Sequence, residues 1–527
     1  MPVVTRSGQR GGTPVALGLV SALVVATSLA AVVSRQWTPV NDQAILWLNA
    51  NDVGTADTPL TGLYSRFGWD HPGPMAFYLL ALPLRLFGGR PSALLVGAVL
   101  LGLVAIVLAV WSAYRAGSLG AAIPVALVVS ILVVALGDGL IDPWTPWLVV
   151  LPLVAFFCVL WAWLGGNRVM APIAAGLGTF MVQTHVGLVV PVALIGVAAL
   201  AWRVLDRSGS RPQWRRPPWV TFVVLTVLWI PPLAQQVFTR PGNLGDLLAH
   251  FSGASGEVTP GLAMGLRLAA TSLSPVGPWV GRDAPGFLGG ISPAPTWWLV
   301  FPVALLVVSV MLAWRWQDMV GLRLVGLVAA GQVATVVALT RVEGIPYPYL
   351  IWWSRGVVAL TVAAPLVVLG RRIGARVGTE PSRLPIVGLV ACVVTVFAVL
   401  AVFRESPLSG PSSRYRALVA GVPSVLPEAT VVRVDSQGGG AFDYSPATLV
   451  IALKEQGLRA LLAPVRSVSG APSSLLARTT RRDPMRCCRP SSSRVVGRWT
   501  RFCRARAPES CRRSIRSARM NEPRPVS

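Results

Sequence analysis

His71–Gly88 reads HPGPMAFYLLALPLRLFG, and whether this stretch crosses a membrane sets the topology of everything after it. A helix needs about 20 apolar residues to span a bilayer. This segment is shorter, contains Pro83 and closes on Arg85, which suits a helix lying at the membrane interface. Working outward, stretches long and apolar enough to span are 14–34, 91–114, 119–137, 146–164, 169–185, 186–203, 218–238, 296–314, 321–340, 350–370 and 385–403. The fold class expected is an all-α polytopic membrane protein with about eleven transmembrane helices. Its first outer loop, 35–90, is large and carries interfacial helices.

Charge tests the assignment. If 72–88 does not cross, the inner side before residue 404, the N-terminal arm included, holds fifteen Arg against three acids, and the outer side nine Arg against ten acids. That is the positive-inside asymmetry. If it did cross, the basic loop RVLDRSGSRPQWRR would face outward. The N-terminus is therefore expected in the cytoplasm. The first apolar segment reads as an uncleaved span rather than a signal peptide, being longer than a usual signal core. The loop 239–295 falls outside, and its apolar middle, 262–280, is expected to rest on the membrane or pack on the helices.

With 527 residues, 54% of them hydrophobic, and only 13% charged, the chain is no soluble protein. The net charge of +25 would suggest nucleic acid, but fifteen Arg against three acids lie in the last fifty residues, and most of the rest sits in short loops. Nucleic acid is excluded as a partner. Lys454 stands against forty-five Arg, a sign of GC-rich coding. Cys158 and Cys392 lie in apolar spans as small core residues. Cys487, Cys488, Cys503 and Cys511 fall in the tail without metal-ligand spacing.

Residues 404–470 are expected to form a small extracytoplasmic α/β segment, with ATVVRVDS as a strand and SPATLVIALKEQGL as an amphipathic helix. From about 471 to 527 the chain is basic and without apolar period. A frameshift in GC-rich DNA is the first reading; a disordered basic tail against anionic lipid or wall polymer is the second.

The loop between the first span and the interfacial helix, NDQAILWLNANDVGTADTPLTGLYSRFGWDHPGP, carries four of the thirteen acids before residue 404. Charge is expensive in membrane helices, so carboxylates gathered at the surface mark a place for chemistry. Asp42 stands open between a general base toward an acceptor hydroxyl and a cap for a helix beginning at Gln43. Asp70 either binds substrate or a divalent cation, with His71 beside it, or caps the helix that Pro72 opens. Asp52 and Asp57 read as solvated turn residues. Asp138 and Asp142 flank the turn GDGLIDPWTP, shaping an outer pocket or capping helix ends. His185 sits at the turn of a helical hairpin, on the same side. Arg355, several residues inside a span, needs a lipid phosphate or carboxylate partner, unless it snorkels. No P-loop, GxGxxG, GxSxG or HExxH motif occurs.

Together these residues resemble the C-class (GT-C) membrane glycosyltransferases, in a divergent, actinobacterial branch of the polyprenyl-phosphate-mannose-type and arabinose-type enzymes. NDQA stands where that family often has Asp-Glu-Ala, HPGP where it has His-Pro-Pro, and Leu84–Gly88 closes the helix as its Arg-Leu-Phe-Gly does. GDGLIDPWTPWLVVLP and MVQTH are similar to its second outer loop and later hairpin. The likeness is best over 14–205. It departs at Asp42, which lacks an adjacent Glu, and at Gly73, which replaces the second Pro. The resemblance implies a membrane glycosyltransferase that moves a sugar from a polyprenyl-phosphate donor to an envelope glycan, glycolipid or protein acceptor. By position, Asp42 would be the base, Asp70 and His71 would lie near the acceptor or a cation, and Arg355 would meet the donor phosphate. The rival expectation is a lipid or polysaccharide transporter or an inactive scaffold, but transporters place ionisable groups near mid-membrane.

Overall fold

In a computed structural model, the described residues are 12–65, 67–205, 219–240, 242–254, 259–274, 293–377, 384–425, 431–435 and 445–462. The expected basic tail, 471–527, lies outside them. The helices are α1 (Gly12–Val33), α2 (Asp42–Asp52), α3 (Met75–Leu86), α4 (Ala93–Gly117), α5 (Leu119–Ala135) and α6 (Thr145–Leu148). There follow α7 (Val150–Leu164), α8 (Met170–Thr184), α9 (Val189–Leu205), α10 (Trp219–Phe238), α11 (Asn243–Ala249) and α12 (Gly261–Leu273). The remainder are α13 (Val300–Arg315), α14 (Met319–Leu339), α15 (Ser354–Val377), α16 (Leu384–Val402), α17 (Ser409–Val419) and α18 (Ser445–Glu455).

The protein is a multi-pass helical membrane protein. Every expected span is occupied by a helix, and eight helical stretches among the described residues are long and apolar enough to cross. The other three are shorter. α5 stops where Gly137 turns left-handed at φ 57°, and α8 stops where His185 becomes extended at φ −147°. The described apolar part of α1 is Gly18–Val33.

At 12 residues, α3 is only about 18 Å long, too short for a bilayer. One face, including Phe77, Leu80 and Leu84, is buried, while Leu82 and Leu86 are exposed. It packs closely on α4, where a Cβ on Gly97 would touch Leu80 at 2.5 Å and Pro83 at 3.1 Å. Its end is closed by left-handed Gly88 and Gly89, the latter's N–H reaching Leu84 O at 2.7 Å, a Schellman-type stop.

α4 and α7 form the buried centre, and nearly all of α7 is enclosed. α5 and α15 cross at Gly120 and Gly370, where no side chain separates the backbones. Asp318 caps α14 through Gly321 N at 3.1 Å and holds Arg371 of α15 with two nitrogens at 2.9 Å. α10 and α13 leave most of their apolar surface exposed, as lipid-facing helices do. α12 packs against α14, with Gly265 set against Thr340, so the described part of 262–280 packs on the helices; residues 275–280 lie outside the described residues.

Two compact units divide the chain: Met1–Trp37 with Leu46–Pro407, and Thr38–Ile45 with Leu408–Ser527. The helices above, from α3 to α16, belong to the first. Within it, the Arg35 guanidinium donates to the carbonyls of Val402, Arg404 and Ala401 at 2.7, 2.8 and 3.2 Å, satisfying carbonyls left over at the end of α16. Trp37 Nε1 donates to Pro407 O at 2.7 Å.

The second unit contains α17, α18 and two parallel strands, β1 (Val431–Val434) and β2 (Arg459–Leu462), paired Val431 to Arg459 through Val434 to Leu462. The expected strand and helix are β1 and α18; β2 was not read from the sequence. α18 buries Leu449, Val450, Ile451 and Leu453. This unit also claims Thr38–Ile45, the segment carrying Asp42.

A candidate site around buried histidines

Thr61–Pro74 folds back on itself. Gly62 N donates to His71 O at 2.9 Å, His71 N to Leu63 O at 2.8 Å, and Ser65 N to Trp69 O at 2.9 Å. The turn uses left-handed Gly68, at φ 89°. Gly62 is demanded by closeness: a Cβ there would lie 2.7 Å from Gly73 O and 2.8 Å from His71 Cβ. This fold-back presents Trp69, Asp70 and His71 in succession.

Asp70 is tied down by its neighbours. Its carboxylate accepts from Thr61 Oγ1 at 2.7 Å. Asn243, at the start of α11, brackets its backbone, accepting from Asp70 N at 2.7 Å and donating to Asp70 O at 3.0 Å. Burial, and then the Asp70 charge, raise the phenol of Tyr64 above its ordinary range.

His71 and His185, distant in sequence, stack with ring centroids 5.4 Å apart. Both Nδ1 atoms accept a backbone N–H, from Val186 at 3.2 Å and Gly187 at 3.1 Å. Each ring is thereby fixed with its proton on Nε2. Burial, then the neighbouring His185, depresses His71 to about 3. Burial depresses His185 to about 4, a hydrogen bond to its own backbone acting the other way.

Unfolded histidines titrate near 6.5. Below that value the unfolded chain binds more protons than the folded one, so stability falls with pH until the folded values are reached. The thermal midpoint of the purified protein is therefore expected to be highest above pH 6.5 and to drop steadily toward pH 4. A midpoint unchanged over that interval would contradict a buried neutral pair.

Gln183 is the hub that sequence reasoning missed. Its Nε2 donates to Leu228 O at 2.7 Å. Four residues on, Pro232 lies inside α10 and has no N–H to satisfy that carbonyl, so the Gln183 amide supplies the donor. This fixes the amide's orientation and turns Oε1 away toward Gly73, where it has no hydrogen-bond partner. Thr184 Oγ1 and Trp69 Nε1 are likewise buried and unpartnered. Buried polar atoms are normally paired, and three orphans around one histidine pair are suited to a polar ligand.

Gly73 follows from the same packing. A Cβ there would collide with the Gln183 side chain, which explains why Gly stands in HPGP. Gly73→Ala should cost about 1–3 kcal/mol by overpacking, read as a lower thermal midpoint; an unchanged midpoint would mean that Gln183 is free to move.

The third histidine, His250, pairs with Glu343 at 3.0 Å, both buried. Its ring lies 4.8 Å from Phe67 and 5.4 Å from Trp69, and Trp69 is 6.0 Å from His71. His71 and His250 thus flank Trp69, and His185 stacks on His71. The only signal in the sequence was their scarcity.

Arg355 lies on an aromatic surface, its guanidinium carbon 5.1 Å from the Trp147 ring and 5.9 Å from Trp352. Those indoles stack at 3.8 Å. Among the described residues no carboxylate pairs with Arg355. Asp142 shapes the turn beneath, accepting from Trp144 N at 2.9 Å. Gly139 is required there, since a Cβ would enter the Trp147 indole at 2.5 Å. Trp353, two residues before Arg355, borders the His185 turn: a Cβ on Gly187 would touch its Nε1 at 3.7 Å.

The expected residues thus separate. Asp70, His71 and His185 come together, and Asp142 joins the Arg355 surface. Asp138 instead accepts from Glu405 N at 3.2 Å, a backbone anchor. Asp42 falls in the second unit, half-buried. Its helix begins on Asp42, after left-handed Asn41 at φ 53°, and not at Gln43. Among the described residues no three or more His, Cys, Asp or Glu gather as metal ligands, and His71 Nδ1 accepts from Val186 N.

No family model and no curated protein matches the chain. A search of solved structures finds similarity to ArnT from Cupriavidus metallidurans bound to undecaprenyl phosphate, at 14% identity and a TM-score of 0.48 over 86% of each chain.

Proposed function

We propose that the protein is a membrane glycosyltransferase that uses a polyprenyl-phosphate-linked sugar and acts on a cell-envelope acceptor at the outer face of the membrane. The observation that carries this reading is Arg355, a cation with no carboxylate partner among the described residues, laid on stacked indoles at the end of a span. A guanidinium so placed suits a lipid phosphate, which it can engage through two parallel hydrogen bonds.

The orphaned Gln183 Oε1, Thr184 Oγ1 and Trp69 Nε1 offer an acceptor, a hydroxyl and a donor for sugar hydroxyls. The reaction then needs little else. The acceptor hydroxyl attacks the anomeric carbon, forming the new C–O bond as its proton passes to a general base, the role for which Asp42 is proposed. The bond from the anomeric carbon to the phosphate oxygen breaks, and the lipid phosphate leaves with the electron pair, stabilised by Arg355.

The test is genetic. Deleting the gene should remove one sugar from an envelope glycan, glycolipid or glycoprotein and accumulate its lipid-linked donor, with recovery on complementation by the wild type. Unchanged glycans alongside a changed lipid distribution across the membrane would favour transport and overturn the reading.

A further inference from the structure

Thr38–Ile45 follows the first span in sequence yet clusters with the C-terminal unit. The contacts within that unit are specific. Thr38 is fully buried. Its N–H donates to Ser412 Oγ at 2.8 Å, and its hydroxyl donates to the Glu455 carboxylate, a residue 417 positions away. Ser412, also buried, accepts from the Arg416 guanidinium at 3.1 Å. Burial raises the Glu455 carboxyl above its ordinary range, while the Thr38 hydrogen bond and the Arg416 charge act to lower it.

We infer that Thr38, Ser412 and Glu455 are positioning residues for the segment carrying Asp42, and that the C-terminal α/β unit is a working part of the enzyme. This rests on Asp42 being the base. From Thr38 to Asp42 is only four residues, held at one end by α17 and α18 and at the other by the left-handed Asn41. Displacing a reacting group by about 1 Å can cost roughly 100-fold in rate, so a short anchored run is a sensitive place to act.

The experiment compares the full-length variants Thr38→Val, Thr38→Ser, Glu455→Ala and Asp42→Asn in a donor–acceptor transfer assay, with membrane level and thermal midpoint measured alongside. Thr38→Val is nearly isosteric, so the proposal stays testable if Glu455→Ala fails to fold. Thr38→Val is expected to lower kcat about 10- to 100-fold with donor KM unchanged, and Thr38→Ser, which keeps the hydroxyl, to remain near the wild type. Wild-type kcat in Thr38→Val, with Asp42→Asn inactive, would overturn the positioning role and leave the base intact. A rise in donor KM matching the loss in kcat would also overturn it, as a general structural effect. Full transfer by Asp42→Asn would remove both the base and its positioning.

Discussion

Asp42→Asn is expected to lower sugar transfer by about 100- to 10,000-fold, the range over which a positioned general base contributes. The substitution removes the proton acceptor. Asn keeps the size of Asp and tolerates the first turn of a helix, so membrane level and thermal midpoint should stay close to the wild type. Asp42 occupies the first turn of α2, where the helix dipole favours an ionised carboxylate, the form a base must have. The decisive contrast lies in kcat: a loss confined to donor KM would make Asp42 a binding group. Transfer at the wild-type rate would remove it from the mechanism.

Arg355→Ala is expected to raise donor KM by about 10- to 100-fold, as loss of a charge-assisted phosphate contact worth about 1.5–3 kcal/mol would do. kcat should fall as well, because negative charge on the departing phosphate grows in the transition state. Arg355→Lys gives a sharper comparison. It keeps the charge but loses the planar fork and the stacking on Trp147 and Trp352, so its donor KM should lie between the wild type and Ala. The snorkelling alternative makes a different forecast: Lys would serve as well as Arg, and Ala would alter insertion more than donor KM. An unchanged donor KM in Arg355→Ala would dismiss the phosphate contact.

The helices were legible because apolar runs of fixed length carry their own signal. The short α3 was legible for the same reason, helped by Pro83 and Arg85. β2 was not: four residues, RALL, are too few for a period to emerge, and only pairing with β1 identifies them as a strand. The site was half legible. Asp70, His71 and His185 stood out as scarce ionisable groups near span ends, and they do assemble. Gln183 could not have been found locally, since its role depends on Pro232 having stripped a carbonyl on another helix of its donor. His250 and Glu343 carry no mutual spacing, and their pairing follows from tertiary folding alone. Asp42 was read as belonging with the outer loop, whereas its segment clusters with residues about 370 to 417 positions later. Sequence proximity is a poor guide where a chain returns to its own beginning.

Whether a lipid-phosphate-linked sugar is the donor can be read by reconstituting the purified full-length protein in liposomes with a radiolabelled polyprenyl-phosphate sugar and an envelope extract as acceptor. Label is expected to move from the lipid phase to acceptor material, with release of polyprenyl phosphate in equal amount, and not to move with Asp42→Asn. Label that stays on the lipid with every lipid-linked sugar supplied, while the protein remains folded, would contradict a lipid-linked donor.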